Sequence, residues 1–194
     1  MSQTSLLSEF VRHPREVGAV APSGTTLTAQ AVAPIPRTGD PVVVELGPGT
    51  GSFTAAIQRR LAGRGRHIAV EINPRMADLL ARRFPGVEVI TADAVRLDEL
   101  LAEHGAQHAD VIVSGLPWSV FPQARQRDVL DAAVRSLAVD GAFTTFAYVH
   151  MLWSAPARRL RRSLEERFDE VLVGRTVWAN VPPALVYYCR RPSA

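Results

Sequence analysis

The chain has 194 residues, of which 47% are apolar and 21% are charged, a composition typical of a globular protein. A chain of this length buries roughly 70% of its unfolded surface when it folds as one unit, so we expect a single domain over residues 1–194. All 22 basic side chains are Arg, which excludes lysine chemistry such as a Schiff base, and a net charge of +3 argues against a dedicated nucleic-acid surface.

The first 40 residues are predicted to form a helical cap ahead of a core at 41–194. An amphipathic stretch places four apolar side chains on one face: Leu6, Leu7, Phe10 and Val11. Arg12 and Arg15 flank this face, so the stretch is a candidate for contact with an anionic membrane surface. Capping of a ligand site is the alternative. A second short helix is predicted near 25–33.

From residue 41 onward, short apolar runs alternate with helical spacings, which is the pattern of a parallel sheet with crossover helices. Seven strands are predicted, at 41–46, 67–72, 87–91, 109–114, 141–148, 170–178 and 184–190. Five helices are predicted between them, at 52–61, 74–84, 97–104, 122–137 and 156–168. The last two strands are too close in sequence for a crossover helix, so they must be antiparallel neighbours. The predicted fold class is α/β, a seven-stranded mostly parallel sheet with helices on both faces and a C-terminal antiparallel strand.

A glycine-rich loop, "VVVELGPGTG", joins the first predicted strand to the first crossover helix. Gly47, Gly49 and Gly51 allow a tight turn and a close approach of the backbone to a ligand. Glu71 ends the next strand, where an acid can accept both hydroxyls of a ribose. The G-x-G-x-G spacing differs from that of dinucleotide binders, and Glu45 would repel a pyrophosphate. A cationic ligand fits this loop better.

S-adenosyl-L-methionine carries an ammonium and a sulfonium but no phosphate, so an acid beside the loop favours its binding. We expect Glu45 to reach the ammonium directly or through water, and Asp93 to accept from the adenine amino group. The alternatives are a helix cap for Asp93 and a solvated strand-end acid for Glu71. The expected cofactor-binding residues are Glu45, Gly47, Pro48, Gly49, Thr50, Gly51, Glu71, Ile72, Asp93, Ala94 and Ser114.

The chain resembles class I S-adenosylmethionine-dependent methyltransferases, which have a Rossmann-like fold, through "VELGPGTG", "VEINP", "ADA" and "VSGLPW". More narrowly, it resembles the bacterial phospholipid N-methyltransferases, which are related to the ribosomal RNA adenine dimethyltransferases. This narrower resemblance rests on "FVRHPREVGAVAPSG" at 10–24 and "NVPPALVYYCRR" at 180–191. It implies methylation of the amine of phosphatidylethanolamine at the cytoplasmic membrane face, although small-molecule methyltransferases can share the scaffold.

The acceptor should lie beyond the carboxyl ends of the strands, with its nucleophile about 3 Å from the methyl carbon. Such a displacement needs no metal, and we expect none. Tyr148 and His150 are the ordinary proton acceptors that we place there, so both are expected catalytic residues. The expected substrate-binding residues are Val20, Ser23, Leu116, Pro117, Trp118, Trp153, Asn180 and Pro182.

Several aromatic and charged residues near this edge have two interpretations. Trp153 and Trp178 suit a choline-like cation or a flat aromatic substrate, with core packing as the alternative. Helix 156–168 carries four Arg in its first turns, which suits a phosphate head group or an anionic surface, with a solvated helix as the alternative. The histidines that lie at predicted element ends are expected to be solvated: His13, His67, His104 and His108.

Three functions follow from these residues. The first is methylation of a lipid amine, and the second is methylation of carbon or nitrogen on an aromatic natural product such as an indole. The third is an RNA-binding adenine methyltransferase, against which stand the low net charge and Ser114 in place of an amine-binding acid or amide. The absence of a visible signal peptide and the lone Cys189 favour a cytoplasmic location, with peripheral contact at the inner membrane face left open.

Overall fold

The computed structural model describes residues 24–193. The amphipathic stretch at 6–11, His13, Val20 and Ser23 lie outside the described residues, so the expectations placed on them stay predictions. The strands are β1 (Val42–Leu46), β2 (Arg66–Glu71), β3 (Glu88–Thr91), β4 (Ala109–Ser114), β5 (Leu137–Tyr148), β6 (Phe168–Val173) and β7 (Ala184–Pro192). The α-helices are α1 (Thr25–Ala31), α2 (Ser52–Leu61), α3 (Pro74–Arg83), α4 (Leu97–Glu103), α5 (Gln123–Ser136) and α6 (Ala155–Glu165).

The seven strands form one sheet in the order β3-β2-β1-β4-β5-β7-β6. The pairs from β3 to β5 are parallel, and β7 is antiparallel to both of its neighbours. The predicted fold class and the antiparallel pairing of the last two strands are therefore confirmed. The strand order changes direction between β1 and β4, and ligands of open α/β sheets bind in the crevice beyond such a point.

Successive side chains of β1 point to opposite faces of the sheet, and both faces carry apolar residues that helices cover. Val44 and Leu46 point into a core that α4, α5 and α6 cover, whereas Val43 points into a second core with residues of α1 and α2. Glu45 shares the face of Val43 and contacts Thr54 of α2. A carboxylate is thus buried on the α2 side of the sheet, directly before the glycine loop.

The structure corrects the predicted bounds of three elements. The prediction of a strand over 170–178 was wrong at both ends, because β6 starts at the buried Phe168, which pairs with Pro192, and stops before Gly174. Beyond that point, Val177 forms an isolated bridge to Ala184. The helix predicted to reach residue 168 ends at Glu165. β5 starts at residue 137, four residues earlier than predicted, because its first residue pairs with β4.

No α-helix within residues 24–193 has the length and apolar character required to cross a bilayer.

Candidate functional site

The three glycines of the loop all have left-handed backbone angles, with φ of +68° at Gly47, +53° at Gly49 and +84° at Gly51. A Cβ atom at Gly47 would lie 2.7 Å from Cδ2 of Leu116, and one at Gly51 would lie 2.8 Å from Cε2 of Phe84. A Cβ at Gly49 would meet no atom of residues 24–193 within 4 Å. A side chain at either outer glycine would displace Leu116 or Phe84, whereas the middle one faces space left open by the described residues, of the kind a ligand can fill.

The loop after β4 packs directly against the glycine loop. The Gly115 N–H donates to the Leu46 carbonyl over 2.8 Å, and a Cβ at Gly115 would lie 2.8 Å from the Gly47 carbonyl oxygen. The sequence "SGLPW" and the glycine loop thus meet at the carboxyl edge of the sheet, where the strand order changes direction. This is the edge at which the sequence places both the cofactor and the acceptor.

Glu71 lies at the end of β2 and is buried, so the alternative of a solvated strand-end acid is wrong. Its Oε2 accepts from the Gly49 N–H over 3.2 Å, and its Oε1 accepts from the Asn73 N–H over 3.0 Å. Burial raises the pKa of Glu71, against the opposing effect of these donors. Each carboxylate oxygen keeps a second lone pair, which is what two ribose hydroxyls require.

Asp93 forms the helix cap that was its alternative role, since its Oδ1 accepts from the Val95 N–H over 3.0 Å. It also forms a two-pronged ion pair with Arg125 of α5, at 2.6 Å and 2.7 Å. No sequence motif links Arg125, a residue of α5, to the "ADA" turn, so this ion pair could not be predicted from the sequence. The contact between Asp93 and adenine stays a prediction, and Arg125 would share the carboxylate with the adenine amino group.

Glu45 is fully buried in a polar network. Its Oε2 accepts from Thr54 Oγ1 over 2.8 Å and lies 3.2 Å from His67 Nε2. Its Oε1 is buried and has no hydrogen-bond partner in the part of the chain that the structure describes. The prediction that His67 is solvated was wrong, because β2 places it opposite Val43 on the α2 face, where it is only 3% exposed. A carboxylate oxygen left without a partner fits a cationic group of a ligand.

The other expected cofactor residues surround this loop. Pro48 is buried and accepts from the Gly51 N–H over 2.9 Å, whereas Thr50 is exposed and its carbonyl accepts from Arg83 over 3.0 Å. Ile72 is exposed just beyond β2, and Ala94 is buried in the turn after Asp93.

Ser114 and Trp118 bond to each other instead of facing an open pocket. Ser114 Oγ accepts from Trp118 Nε1 over 3.1 Å, and both residues are buried. The indole packs edge-on against Phe121 and Phe143, with ring centroids 5.7 Å and 6.3 Å away. Trp118, an expected substrate-binding residue, is therefore packed in the core, and its contact with the acceptor stays a prediction. Leu116 and Pro117, before it, are half-buried.

A row of aromatic side chains leads from the glycine loop to the surface. We call Phe53, Phe146, Tyr148 and His150 the aromatic row; its successive ring centroids are 5.7, 5.4 and 5.8 Å apart. Phe53 lies in the first turn of α2, and His150 is exposed. Burial raises the pKa of Tyr148, so its phenol stays protonated and the imidazole is the better proton acceptor.

Asn180 connects the loop before β7 to the start of the described chain. Its Oδ1 accepts from the Gly24 N–H over 2.8 Å, and its Nδ2 donates to the Pro182 carbonyl over 2.6 Å. The Val149 N–H donates to the Pro183 carbonyl over 2.8 Å. The structure therefore brings the predicted segment 180–183 beside the end of the aromatic row. Because its amide is already used in these contacts, Asn180 shapes this loop.

Trp153 and Trp178 are 83% and 73% exposed, so core packing is excluded as their role. Val181 is also exposed, and the three side chains lie in the segments that follow β5 and precede β7. We call Trp153, Trp178 and Val181 the apolar rim. Among residues 24–193, no group of three or more His, Cys, Asp or Glu side chains could hold a metal ion.

Comparisons with known proteins agree with this geometry. The family model described as "Methyltransferase domain" matches residues 43–141. The chain is 35% identical over 189 residues to an ornithine lipid N-methyltransferase of Singulisphaera acidiphila, an alignment that covers 95% of this chain and 93% of that protein. It is also 37% identical to ribosomal RNA small subunit methyltransferase A of Kineococcus radiotolerans, but there it spans only 55% of that protein's length.

A solved structure shows the same fold. The SAM-dependent O-methyltransferase of Thermotoga maritima superposes with a TM-score of 0.64 at 14% identity, covering 97% of this chain and 73% of that one. Together with the glycine loop, these matches establish the family and its cofactor, S-adenosyl-L-methionine. The chain belongs to the S-adenosylmethionine-dependent methyltransferases of the methyltransferase domain family.

Proposed function

We propose that the chain transfers a methyl group from S-adenosylmethionine to the amine of a lipid head group at an anionic membrane surface. When bound, the cofactor supplies a methyl group activated by the sulfonium. Phosphatidylethanolamine is the first acceptor to test, and the lipid amine of the Singulisphaera acidiphila relative is the second. The observation that carries the proposal is the exposure of the apolar rim, whose segments lie next to the end of β5 at the carboxyl edge of the sheet.

The aromatic row suits an amine that becomes a permanent cation as methyl groups are added. Aromatic faces attract ammonium groups, and a site that excludes water strengthens this attraction. Phe146 and Tyr148 are half-buried between Phe53, beside the glycine loop, and the exposed His150. An amine entering at the surface can therefore approach the cofactor along aromatic side chains.

His150 is the proposed acceptor of the proton that the ammonium of the head group must lose before its nitrogen can attack. It is exposed at the outer end of the aromatic row, where an incoming amine first meets the protein. An imidazole is suited to this task near neutral pH. Tyr148 stacks on the imidazole at an interplanar angle of 23°, which limits the orientations that the ring can take.

The apolar rim is suited to a membrane because indole rings favour the boundary between water and acyl chains. Trp153 directly precedes Ser154, the N-cap of α6, and α6 exposes Arg158 in its first turn and Arg162 in its last turn. Guanidinium groups next to an apolar rim attract anionic lipid head groups. This pairing of charge with exposed indole rings favours a membrane surface over a soluble aromatic acceptor.

The test mixes the purified protein with methyl-labelled S-adenosylmethionine and one of four acceptors. These are anionic vesicles with phosphatidylethanolamine, vesicles in which phosphatidylcholine replaces it, indole, and RNA. We expect label in the phosphatidylethanolamine vesicles. If label enters indole and no lipid, the small-molecule alternative replaces this proposal, and label in RNA alone would favour the ribosomal RNA alternative.

The rim has a matched control in Val139, an exposed apolar residue near the start of β5, at the opposite end of that strand from Tyr148. Replacing Trp153 and Trp178 together by Ser should reduce sedimentation with anionic vesicles and methyl transfer to their lipids. Val139→Ser should leave both unchanged. Equal sedimentation of the two variants would contradict a membrane role for the rim.

A further inference from the structure

A chain of buried polar side chains runs from α2 through β2 to β1. Gln58 Nε2 lies 3.0 Å from His67 Nδ1, and His67 Nε2 lies 3.2 Å from Glu45 Oε2. Thr54 Oγ1 donates to the same oxygen over 2.8 Å. We call Glu45, Thr54, Gln58 and His67 the Glu45 network. Glu45, Thr54 and His67 are almost wholly inaccessible to solvent, so their mutual contacts determine how each side chain is oriented.

The contacts assign the protons of the imidazole. The Gln58 amide nitrogen faces Nδ1 and can only donate, so Nδ1 accepts and carries no proton. The single ring proton then lies on Nε2 and is donated to Glu45. In this arrangement the imidazole orients the carboxylate through its Nε2–H.

Both donors of the network bind the same carboxylate oxygen. Thr54 and His67 use Oε2, which leaves Oε1 buried and without a partner in the described range 24–193. A buried anion with one unsatisfied oxygen is costly unless a cation or donor reaches it. Glu45 lies two residues before Gly47, where the loop that receives the cofactor begins, and the cofactor carries an ammonium on its amino-acid part.

We propose that His67 is a positioning residue for the cofactor. With Thr54 it fixes the rotamer of Glu45, so that Oε1 is held ready for the ammonium of S-adenosylmethionine. Gln58, through its 3.0 Å contact with Nδ1, holds the imidazole in the orientation that brings Nε2 to Glu45. The inference depends on the cofactor and on the role of Glu45, and it is independent of the methyl acceptor.

Two ligands separate a positioning role from a purely structural one. S-adenosylhomocysteine keeps the amino-acid ammonium and undergoes no turnover, whereas 5′-methylthioadenosine keeps the adenosine and lacks the amino-acid part. Calorimetric titration of His67→Leu should show S-adenosylhomocysteine binding roughly tenfold or more weaker, as expected for a charge-assisted hydrogen bond that is no longer well oriented. The affinity for 5′-methylthioadenosine should be unchanged.

Conservative variants test the mechanism further. His67→Gln retains an N–H that can reach Oε2, so it should restore most of the affinity for S-adenosylhomocysteine. Thr54→Val removes the second donor at nearly constant shape, and it should weaken the same ligand selectively even if His67→Leu does not fold. In a Glu45→Gln background, adding His67→Leu should cause no further loss, because His67 acts through Glu45.

The inference is overturned if His67→Leu and Thr54→Val weaken both ligands equally, since that result indicates a structural role. It is also overturned if neither variant weakens S-adenosylhomocysteine binding. If Glu45→Gln alone has no effect on this ligand, the assignment of Glu45 to the ammonium is wrong as well. None of these results bears on the lipid acceptor, which the vesicle assay tests separately.

Discussion

Glu71 Oε2 accepts a hydrogen bond from the Gly49 N–H over 3.2 Å, so the end of β2 is tied to the middle of the glycine loop. Burial is the largest influence on this carboxyl group, and it raises the pKa of Glu71 above its ordinary value of 4.5. A pKa raised by folding means that the folded protein favours the protonated form. The stabilisation from Glu71 is therefore complete below the ordinary pKa and is lost as the pH rises through the raised pKa.

Glu71→Gln removes this titration. We expect the free energy of unfolding of the cofactor-free wild type to fall, relative to the variant, as the pH rises through this window. Urea unfolding of both proteins over a pH series measures the difference. Taking the difference removes the contributions of Glu88 and Asp98, whose pKa values are lowered and whose effects have the opposite sign. A difference that stays constant with pH would refute the prediction.

Gly49→Val should abolish cofactor binding with only a modest loss of stability. The left-handed backbone at Gly49 makes a side chain cost about 1–2 kcal/mol, but no atom in the described part of the chain lies within 4 Å of the new Cβ. The side chain would instead occupy the space that the ligand needs. Calorimetric titration with S-adenosylhomocysteine measures the loss.

Gly63→Val is the matched control for this variant. Gly63 also has a left-handed φ, +82°, and open space around its Cβ, but it lies beyond the far end of α2. Both variants should unfold at similarly lowered urea concentrations, while Gly63→Val retains wild-type affinity. Equal affinities of the two variants would mean that the glycine loop does not receive the cofactor.

His150→Ala should lower the rate of methyl transfer by ~100-fold or more while leaving the affinity for S-adenosylhomocysteine unchanged. The reason is that the imidazole is the proposed proton acceptor and lies away from the glycine loop. Tyr148→Phe should retain substantial activity, because burial raises the pKa of Tyr148 and keeps its phenol protonated. Full activity of His150→Ala would mean that water, and not His150, accepts the proton that the ammonium loses.

Cys189 should resist alkylation until the protein unfolds. It is buried in β7, and burial raises its thiol pKa to about 12, so almost no reactive thiolate forms near neutral pH. Because it is the one cysteine of the sequence, labelling followed by mass spectrometry reports opening of the sheet without interference. Rapid labelling of the folded protein under native conditions would show that β7 opens readily.

The sequence alone predicted the parts of the site that depend on local pattern. The glycine loop follows a buried strand, and Glu71 ends the next one, so strand periodicity was enough to place Gly49 and Glu71 at one edge. The antiparallel β7 followed from the short connection before it. These features depend on neighbouring residues along the chain, which a sequence shows directly.

The features that were missed depend on tertiary contacts. His67 looks like a residue at a strand end, but the register of β2 against β1 buries it beside Glu45. Trp118 lies in the "SGLPW" motif expected to bind the acceptor, but its indole donates a hydrogen bond to Ser114 and is packed in the core. Arg125 lies 32 residues beyond Asp93, and only the packing of α5 against the turn that Asp93 begins brings the two side chains together. No local periodicity signals such pairs.

The most direct test of the proposed function is mass spectrometry of total lipids from bacterial cells that make phosphatidylethanolamine, with and without expression of this chain. We predict new head groups that carry one or more added methyl groups on nitrogen, and their absence in cells expressing Gly49→Val. An unchanged lipid profile, in cells where the folded protein is present and binds S-adenosylhomocysteine, would contradict methylation of phosphatidylethanolamine.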